Sequence, residues 1–268
     1  MTSPSSTACE EPAVPSRRDT AVVTGGSDGL GYAIAEALAA RGADLILVGR
    51  DPHKLDHARD TLLKHGTAVH AVPADLAGPG AAAAVGEAVR ARTDRVDTLV
   101  NNVGAAHFAH LEDTTPDMID AMLHLNVKVP LLLSRALLAE LRRARGSIIN
   151  ISSYWARKMP AGRPSAAYSA TRGAINSLTM ALANELGADG VRVNALAPGA
   201  VHTPTYQHSY LGPMTPQQRA AHDSGVQTAY PLGRLGAPRD VAEAAAYLAG
   251  ARWTTGTVLT VDGGLTVR

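Results

Sequence analysis

Tyr168 and Arg172 lie four residues apart in a stretch whose apolar residues (Ala174, Ile175, Leu178, Ala181, Leu182, Leu186) recur at helical spacing. The phenol and the guanidinium therefore share one helix face. Such a pair sets a weak acid beside a cation that stays charged at every ordinary pH. Ser153 closely follows the apolar run Ser147 to Ile151, so its hydroxyl falls at the carboxyl end of a strand. Taken alone, a helical tyrosine is more often structural than catalytic. Asn126 stands among Met118, Met122, Val129 and Leu133 on an apolar helical face, where a buried amide needs partners. Pro130, four residues on, has no N–H for the carbonyl of residue 126. That carbonyl is free to hold a water, or the helix is simply kinked and the amide packs locally.

A second chemical feature lies near the start. After Ala21-Val-Val-Thr24 comes Gly25-Gly26-Ser27-Asp28-Gly29-Leu30-Gly31, running directly into a helix. Glycine permits torsions other residues avoid and lets a phosphate approach the main chain. The helix start offers unpaired N–H groups at the positive end of its dipole. A glycine-rich turn can also hold nothing, but strand, turn and helix in this order form the context a dinucleotide site requires.

These side chains need elements to position them. Short β-like runs at 21–24, 45–48, 68–72, 97–101, 147–151, 191–195 and 258–261 predict seven strands. Helices are predicted over 30–41, 52–65, 81–91, 116–142, 167–186 and 239–249, with a loop-rich segment before the last. The alternation implies right-handed crossovers and an α/β, Rossmann-type, doubly wound parallel sheet with helices on both faces. Runs such as Leu45-Ile-Leu-Val48 are continuously apolar, as strands buried on both faces must be. Ligands of such a sheet sit beyond the carboxyl ends of its strands, where Ser153 and the glycine turn both fall.

A length of 268 residues suits one α/β domain, here residues 19–268. Aromatic residues make up only 4%, so the core must be aliphatic. A formal charge of +1 gives no electrostatic reason to expect nucleic acid or an anionic membrane as partner. Residues 1–18 are polar and rich in Pro and Ser, which predicts a disordered tail, and Glu10 and Glu11 argue against a transit peptide. No apolar run approaches the ~20 residues of a membrane span. The lone Cys9 fits a reducing compartment, and a soluble cytoplasmic protein is expected. No Cys/His cluster has metal-ligand spacing, so no metal is expected, and His107 and His110 read as surface histidines.

Further motifs fall in order after the strands: Asp75-Leu76, Asn101-Asn102-Val103-Gly104, Ser152-Ser153, Pro198-Gly199-Ala-Val201-His-Thr203 and Val261-Asp-Gly-Gly264. With the glycine turn, Asn126 and Tyr168, they resemble the ordinary single-domain branch of the short-chain dehydrogenase/reductase family, from about residue 19 to the C-terminus. The resemblance implies a nicotinamide dinucleotide held by Gly25, Ser27, Asp28, Gly29, Leu30 and Gly31. It places Asp75 and Leu76 beside the adenine, with Asn102, Val103 and Gly104 lining the cofactor. Pro198, Gly199, Val201 and Thr203 would lie along the nicotinamide. It makes Tyr168 the general acid, gives Ser153 a hydrogen bond to the same oxygen, and assigns Asn126 to a water-mediated proton relay.

Two positions depart from the family pattern or bear on cofactor choice. Arg172 stands where the family has the lysine that binds the nicotinamide ribose and lowers the tyrosine pKa. An ordinary phenol has a pKa of about 10, so it is protonated for carbonyl reduction at neutral pH, whereas a phenolate at pH ~7 needs about 4 kcal/mol of stabilisation. Reduction is therefore the favoured direction. At the end of the second strand an acidic residue would select NAD; the position falls on Gly49, followed by Arg50, which favours NADP(H) over NAD(H), although Asp28 argues the other way.

Two segments bear on the substrate. The resemblance implies that residues 201–238 form a substrate lid. Tyr154, Trp155, Arg157, Lys158 and Arg163 offer aromatic contact and an anion-binding group, or equally an exposed basic loop. The expected function is reduction of a small ketone or aldehyde, or oxidation of the alcohol, by a homodimer or homotetramer. Arg172 keeps two alternatives open: non-redox chemistry (isomerisation, cyclisation or dehydration) and a silent binding protein.

Overall fold

Successive side chains on a strand point to opposite faces, and here both faces are buried. Val23, Leu45, Leu47 and Ile149 pack into one layer, while Val22, Ile46, Val48 and Ile148 pack into the other. In the computed structural model, which describes residues 17–160 and 163–267, these residues belong to a seven-stranded parallel sheet. The strands are β1 Thr20–Thr24, β2 Asp44–Gly49, β3 Val69–Pro73, β4 Thr98–Asn101, β5 Ser147–Ile151, β6 Arg192–Pro198 and β7 Val258–Val261. Their order is β3-β2-β1-β4-β5-β6-β7. Thr24 pairs with Val48 and Val23 with Val100, so the glycine turn and the end of β4 emerge side by side at the point where the winding reverses.

Helices α1 (Gly29–Ala39), α2 (Pro52–Leu62) and α9 (Pro238–Gly250) cover one face. The other face is covered by α3 (Ala81–Arg90), α5 (Val129–Ala136), α6 (Leu138–Ala144) and α7 (Ala166–Leu186), with α4 (Pro116–Leu123) leading into α5. The seven predicted strands and the doubly wound architecture are those observed.

Two predicted elements differ. The single helix expected over 116–142 is broken twice. Between α4 and α5 the backbone forms a π-helical turn, His124–Lys128, in which the Val129 N–H bonds the His124 carbonyl five residues back. Pro130 cannot donate to the Asn126 carbonyl, and the ladder slips just before it. At Leu137 the backbone leaves helical geometry (φ −107, ψ 12), and α6 continues bent by 61°. The expected loop-rich stretch, in turn, contains α8 (Pro216–Ala229). None of its residues is buried, so it lacks the apolar stripe that would reveal it. Its start was nevertheless encoded: Thr215 and Gln218 form a reciprocal capping box around Pro216.

Of the tail, residues 1–16, including Cys9, lie outside the described residues. Arg17 pairs with Asp94 at 3.0 Å, and Arg18 donates to the Gly66 carbonyl at 2.7 Å. No single helix among the described residues is long and apolar enough to cross a membrane.

Leu47 links the core to the ligand end of the sheet, since a Cβ added at Gly26 would lie 2.9 Å from its Cδ2. It is fully buried. Leu47→Ala is expected to cost about 2–5 kcal/mol of stability, read from the midpoint of urea unfolding; a loss under about 1 kcal/mol would contradict this packing.

Candidate active site

Thr24, at the tip of β1, is buried, and its Oγ1 donates to the Val100 carbonyl at 3.1 Å. The same oxygen accepts from the N–H groups of Asn102 at 2.9 Å and Val103 at 3.2 Å. The Asn102 amide returns to the Thr24 carbonyl at 2.9 Å. This brings Asn102 under the glycine turn. A Cβ at Gly31 would lie 2.6 Å from Asn102 Nδ2 and would overlap the Gly25 carbonyl, so only glycine fits there. Asp28 caps α1 by accepting from the Gly29 N–H at 2.7 Å. Thr203 and Pro204 pass over this turn, within 3.6 and 3.5 Å of where a Gly29 Cβ would stand. Main-chain amides and a helix start meet here beneath Thr203 and Pro204, a fit for a dinucleotide pyrophosphate.

Arg50 is exposed immediately beyond β2. Asp51 then caps α2 through the N–H groups of His53 and Lys54, and Lys54 Nζ reaches Asp28 Oδ2 at 3.1 Å. Lys54 thus joins the rim of the glycine turn, a place the sequence did not reveal. The signal was the Asp51-Pro52 helix start, which puts residue 54 in the first turn of α2. Asp75, exposed beyond β3, accepts from the Ala77 N–H at 3.0 Å, while Leu76 is buried in the core.

Ser153, Tyr168, Arg172 and Asn126 are all buried. Ser153 Oγ accepts from the Trp155 N–H at 3.3 Å, which leaves its O–H free to donate elsewhere. The Arg172 guanidinium sits 4.8 Å from the Tyr168 ring and donates to the Ile151 carbonyl at 2.9 Å, while its Nε is buried without a partner. Gly104 lies against this cluster: a Cβ there would be 2.7 Å from Arg172 Nη2 and 2.8 Å from Asn126 Oδ1. The Asn126 side chain is fully engaged. It accepts from the Ala105 N–H at 2.7 Å, donates to the Ala105 carbonyl at 2.9 Å, and donates to Thr171 Oγ1 at 3.0 Å.

Beyond β6, Gly199 donates to the Val261 carbonyl, and Val201 pairs with Gly236. Pro198 therefore ends a strand of the sheet, and Val201 opens the segment that crosses it. Tyr154 and Trp155 are buried rather than exposed. Burial and nearby phenols push the Tyr154 and Tyr206 hydroxyls far above the ordinary tyrosine range. Burial also lowers the His222 pKa, against the opposing pull of Asp223. Tyr206 Oη and His222 Nε2 are 2.6 Å apart. Arg163 stacks 4.0 Å over the Tyr210 ring and donates to the Tyr210 carbonyl. His107 and His110 are exposed.

A sheet with its cradle and buried tyrosine so arranged defines a nicotinamide-type oxidoreductase fold, and known proteins bear this out. A protein-family model described as enoyl-(acyl carrier protein) reductase matches residues 25–266. Oxidoreductase UcpA of Escherichia coli O157:H7 is 35% identical over 251 residues, 92% of this chain and 94% of that protein. The Pseudomonas aeruginosa RhlG/NADP active-site complex superposes with a TM-score of 0.84 at 31% identity, covering 92% of this chain and 96% of that one. L-sorbose reductase from Gluconobacter frateurii, complexed with NADPH and L-sorbose, gives a TM-score of 0.86 at 29% identity, covering 94% and 97%. The chain belongs to the short-chain dehydrogenase/reductase family and is an oxidoreductase of that type.

Gly31→Ala is expected to displace Asn102 or the Gly25 carbonyl and to weaken nicotinamide dinucleotide binding at least about tenfold, a change of about 1.4 kcal/mol. Calorimetric titration checks this; unchanged affinity would mean that the turn does not hold the ligand.

Proposed function

We propose that this protein is an NADP(H)-dependent carbonyl reductase, turning a ketone or aldehyde of a small molecule into an alcohol. The observation that carries this reading is the convergence of Ser153, Tyr168 and Arg172 beyond β5, one strand away from the Thr24–Asn102 junction and its glycine cradle. When bound, the reduced nicotinamide supplies a hydride to the carbonyl carbon. Ser153 donates a hydrogen bond to the carbonyl oxygen and withdraws charge from the carbon. Tyr168 gives its phenolic proton to that oxygen as negative charge develops there, and the resulting phenolate regains a proton from solvent. Arg172 takes the place of the family lysine: its fixed charge beside the Tyr168 ring stabilises the phenolate, but it cannot carry a proton onward. The Asn126 side chain holds the loop at Ala105 and the helix at Thr171, and any relay water would bind its main-chain carbonyl.

Preference for the phosphorylated cofactor is supported by the neutral Gly49 at the end of β2 and by the cations beyond it. Arg50 is exposed there, and Lys54 neutralises Asp28, the one acid on the turn that would repel a 2′-phosphate. Exposed Leu123, Leu131 and Met180 on α4, α5 and α7 support a homodimer or homotetramer.

Tyr168→Phe is expected to lower kcat/KM for carbonyl reduction by about 10²–10⁴-fold with cofactor affinity kept, and Ser153→Ala to lower it by a smaller factor. The check is NADPH consumption against a ketone panel; substrate turnover without cofactor, or full activity in Tyr168→Phe, would defeat the reading. In a separate measurement, Arg50→Ala and Lys54→Ala should each weaken NADP⁺ binding about tenfold while leaving NAD⁺ binding within about twofold. An equal effect on both dinucleotides would remove the selectivity argument.

A further inference from the structure

The chain is poor in aromatic residues, at 4%, yet it concentrates them at one place. Its single Phe, one of its two Trp and four of its other six Tyr gather around Tyr168. Phe108, on the loop after β4, lies at the centre: its ring centroid is 5.4 Å from Trp155, 5.5 Å from Tyr168 and 5.7 Å from Tyr210. The contacts with Tyr168 and Tyr210 are edge-to-face, the geometry that aromatic quadrupoles favour. Tyr210 is backed by the stacked ring of Tyr206, 5.0 Å away, and by the Arg163 guanidinium. Arg163 has no acidic partner among the described residues; ring faces and a carbonyl meet its charge instead, and its Nε stays buried without an acceptor.

Several polar groups of this wall already bond one another. Tyr206 and His222 bond each other, Tyr230 Oη accepts from the Ala200 N–H at 3.1 Å, and the Asn126 amide is saturated. Ser153 and Tyr168 keep hydroxyl protons for the reacting oxygen, while Tyr230 Oη, an acceptor here, keeps its own and Arg163 Nε is buried without an acceptor. A polyhydroxylated substrate would meet mostly ring faces and edges here, and each desolvated hydroxyl left unpaired counts against binding. A flat ring brings none and gains ring contacts on several sides.

We infer that the substrate is an aryl or fused-ring ketone, uncharged or anionic, whose planar ring seats among Phe108, Trp155 and Tyr210 with its carbonyl at Ser153 and Tyr168. This rests on the reductase reading above and narrows it to a substrate class. It also separates this chain from its relative crystallised with L-sorbose. Phe108 sits on a stretch without regular secondary structure, so its ring is the part of the wall free to move aside for the incoming ring.

Two readouts test the assignment. In the full-length Trp253→Phe variant, which removes the fully exposed indole, fluorescence reports on Trp155. With saturating NADP⁺, titration with 2-acetonaphthone should quench it at least about tenfold more tightly than absorbance-corrected controls with the fully saturated decalin counterpart perturb it. In turnover, NADPH consumption should show a kcat/KM at least about tenfold higher for 2-acetonaphthone than for the saturated ketone or for L-sorbose. Phe108→Leu and Tyr210→Leu, both on incompletely buried positions, should each shrink that preference several-fold while NADP⁺ affinity holds. Equal binding of aryl and saturated ketones, or faster reduction of the ketohexose, overturns the substrate class and leaves the reductase reading standing. Selective aryl binding without reduction of any ketone upholds the ring site and overturns the reductase reading instead.

Discussion

The ligand end of the sheet depends on one junction, where Thr24 at the tip of β1 meets Asn102 just past β4. These strands are neighbours in space but not in sequence, so no single crossover sets how their ends diverge. Four hydrogen bonds through Thr24 Oγ1 and the Asn102 amide fix it instead. The same amide presses against the glycine turn closely enough to exclude a side chain at residue 31. The loop then runs from Val103 to Ala105, which Asn126 grips with both ends of its amide, and Asn126 in turn bonds Thr171. Thr171 donates to the Tyr168 carbonyl at 2.7 Å. One hydrogen-bonded path therefore connects the proposed cofactor cradle to the helix that carries the phenol. Such a network is costly if broken and rigid if complete, and here Thr24, Asn126 and Thr171 each both donate and accept along the path.

How much of this was legible in the sequence depends on which signal each part left. The strands were plain because burial on both faces writes an unbroken apolar run, as in Leu45 to Val48. The glycine turn was legible from residue type and position after a strand, whereas the roles expected of Ser153 and Tyr168 came from the ordered set of motifs, since a helical tyrosine alone carries no such signal. Helix α8 was not, because a helix with no buried residue carries no periodicity, and only its cap gave it away. The break near Asn126 was half legible: Pro130 announced an unsatisfied carbonyl, but not that the ladder would slip into a π turn. Lys54 and Phe108 were missed for a different reason. The Asp51-Pro52 helix start placed Lys54 only locally, and the significance of both lies in contacts with residues 26 and 60 positions away in the chain, distances that a single sequence does not encode directly.

The site joins two regimes that make opposite demands. Around Tyr168 it is walled by aromatic rings, and on the proposed reductase reading such a low-dielectric wall would strengthen the interaction of a developing oxyanion with Ser153, Tyr168 and the Arg172 charge. Yet the same surroundings make Arg172 expensive. Its guanidinium is buried, has no carboxylate partner among the described residues, and leaves Nε without an acceptor, an arrangement costing roughly 1–3 kcal/mol for the unpaired donor alone. A lysine at this position could lessen the burden by shedding its proton; arginine cannot. The stacking of the guanidinium near the Tyr168 ring and its bond to the Ile151 carbonyl offset part of that burden. On the proposed reductase reading, hydroxyl acceptors or a phenolate beside it relieve the remainder, so Arg172 would favour the ligand-bound, charge-developing state over the empty one, the differential stabilisation that catalysis requires.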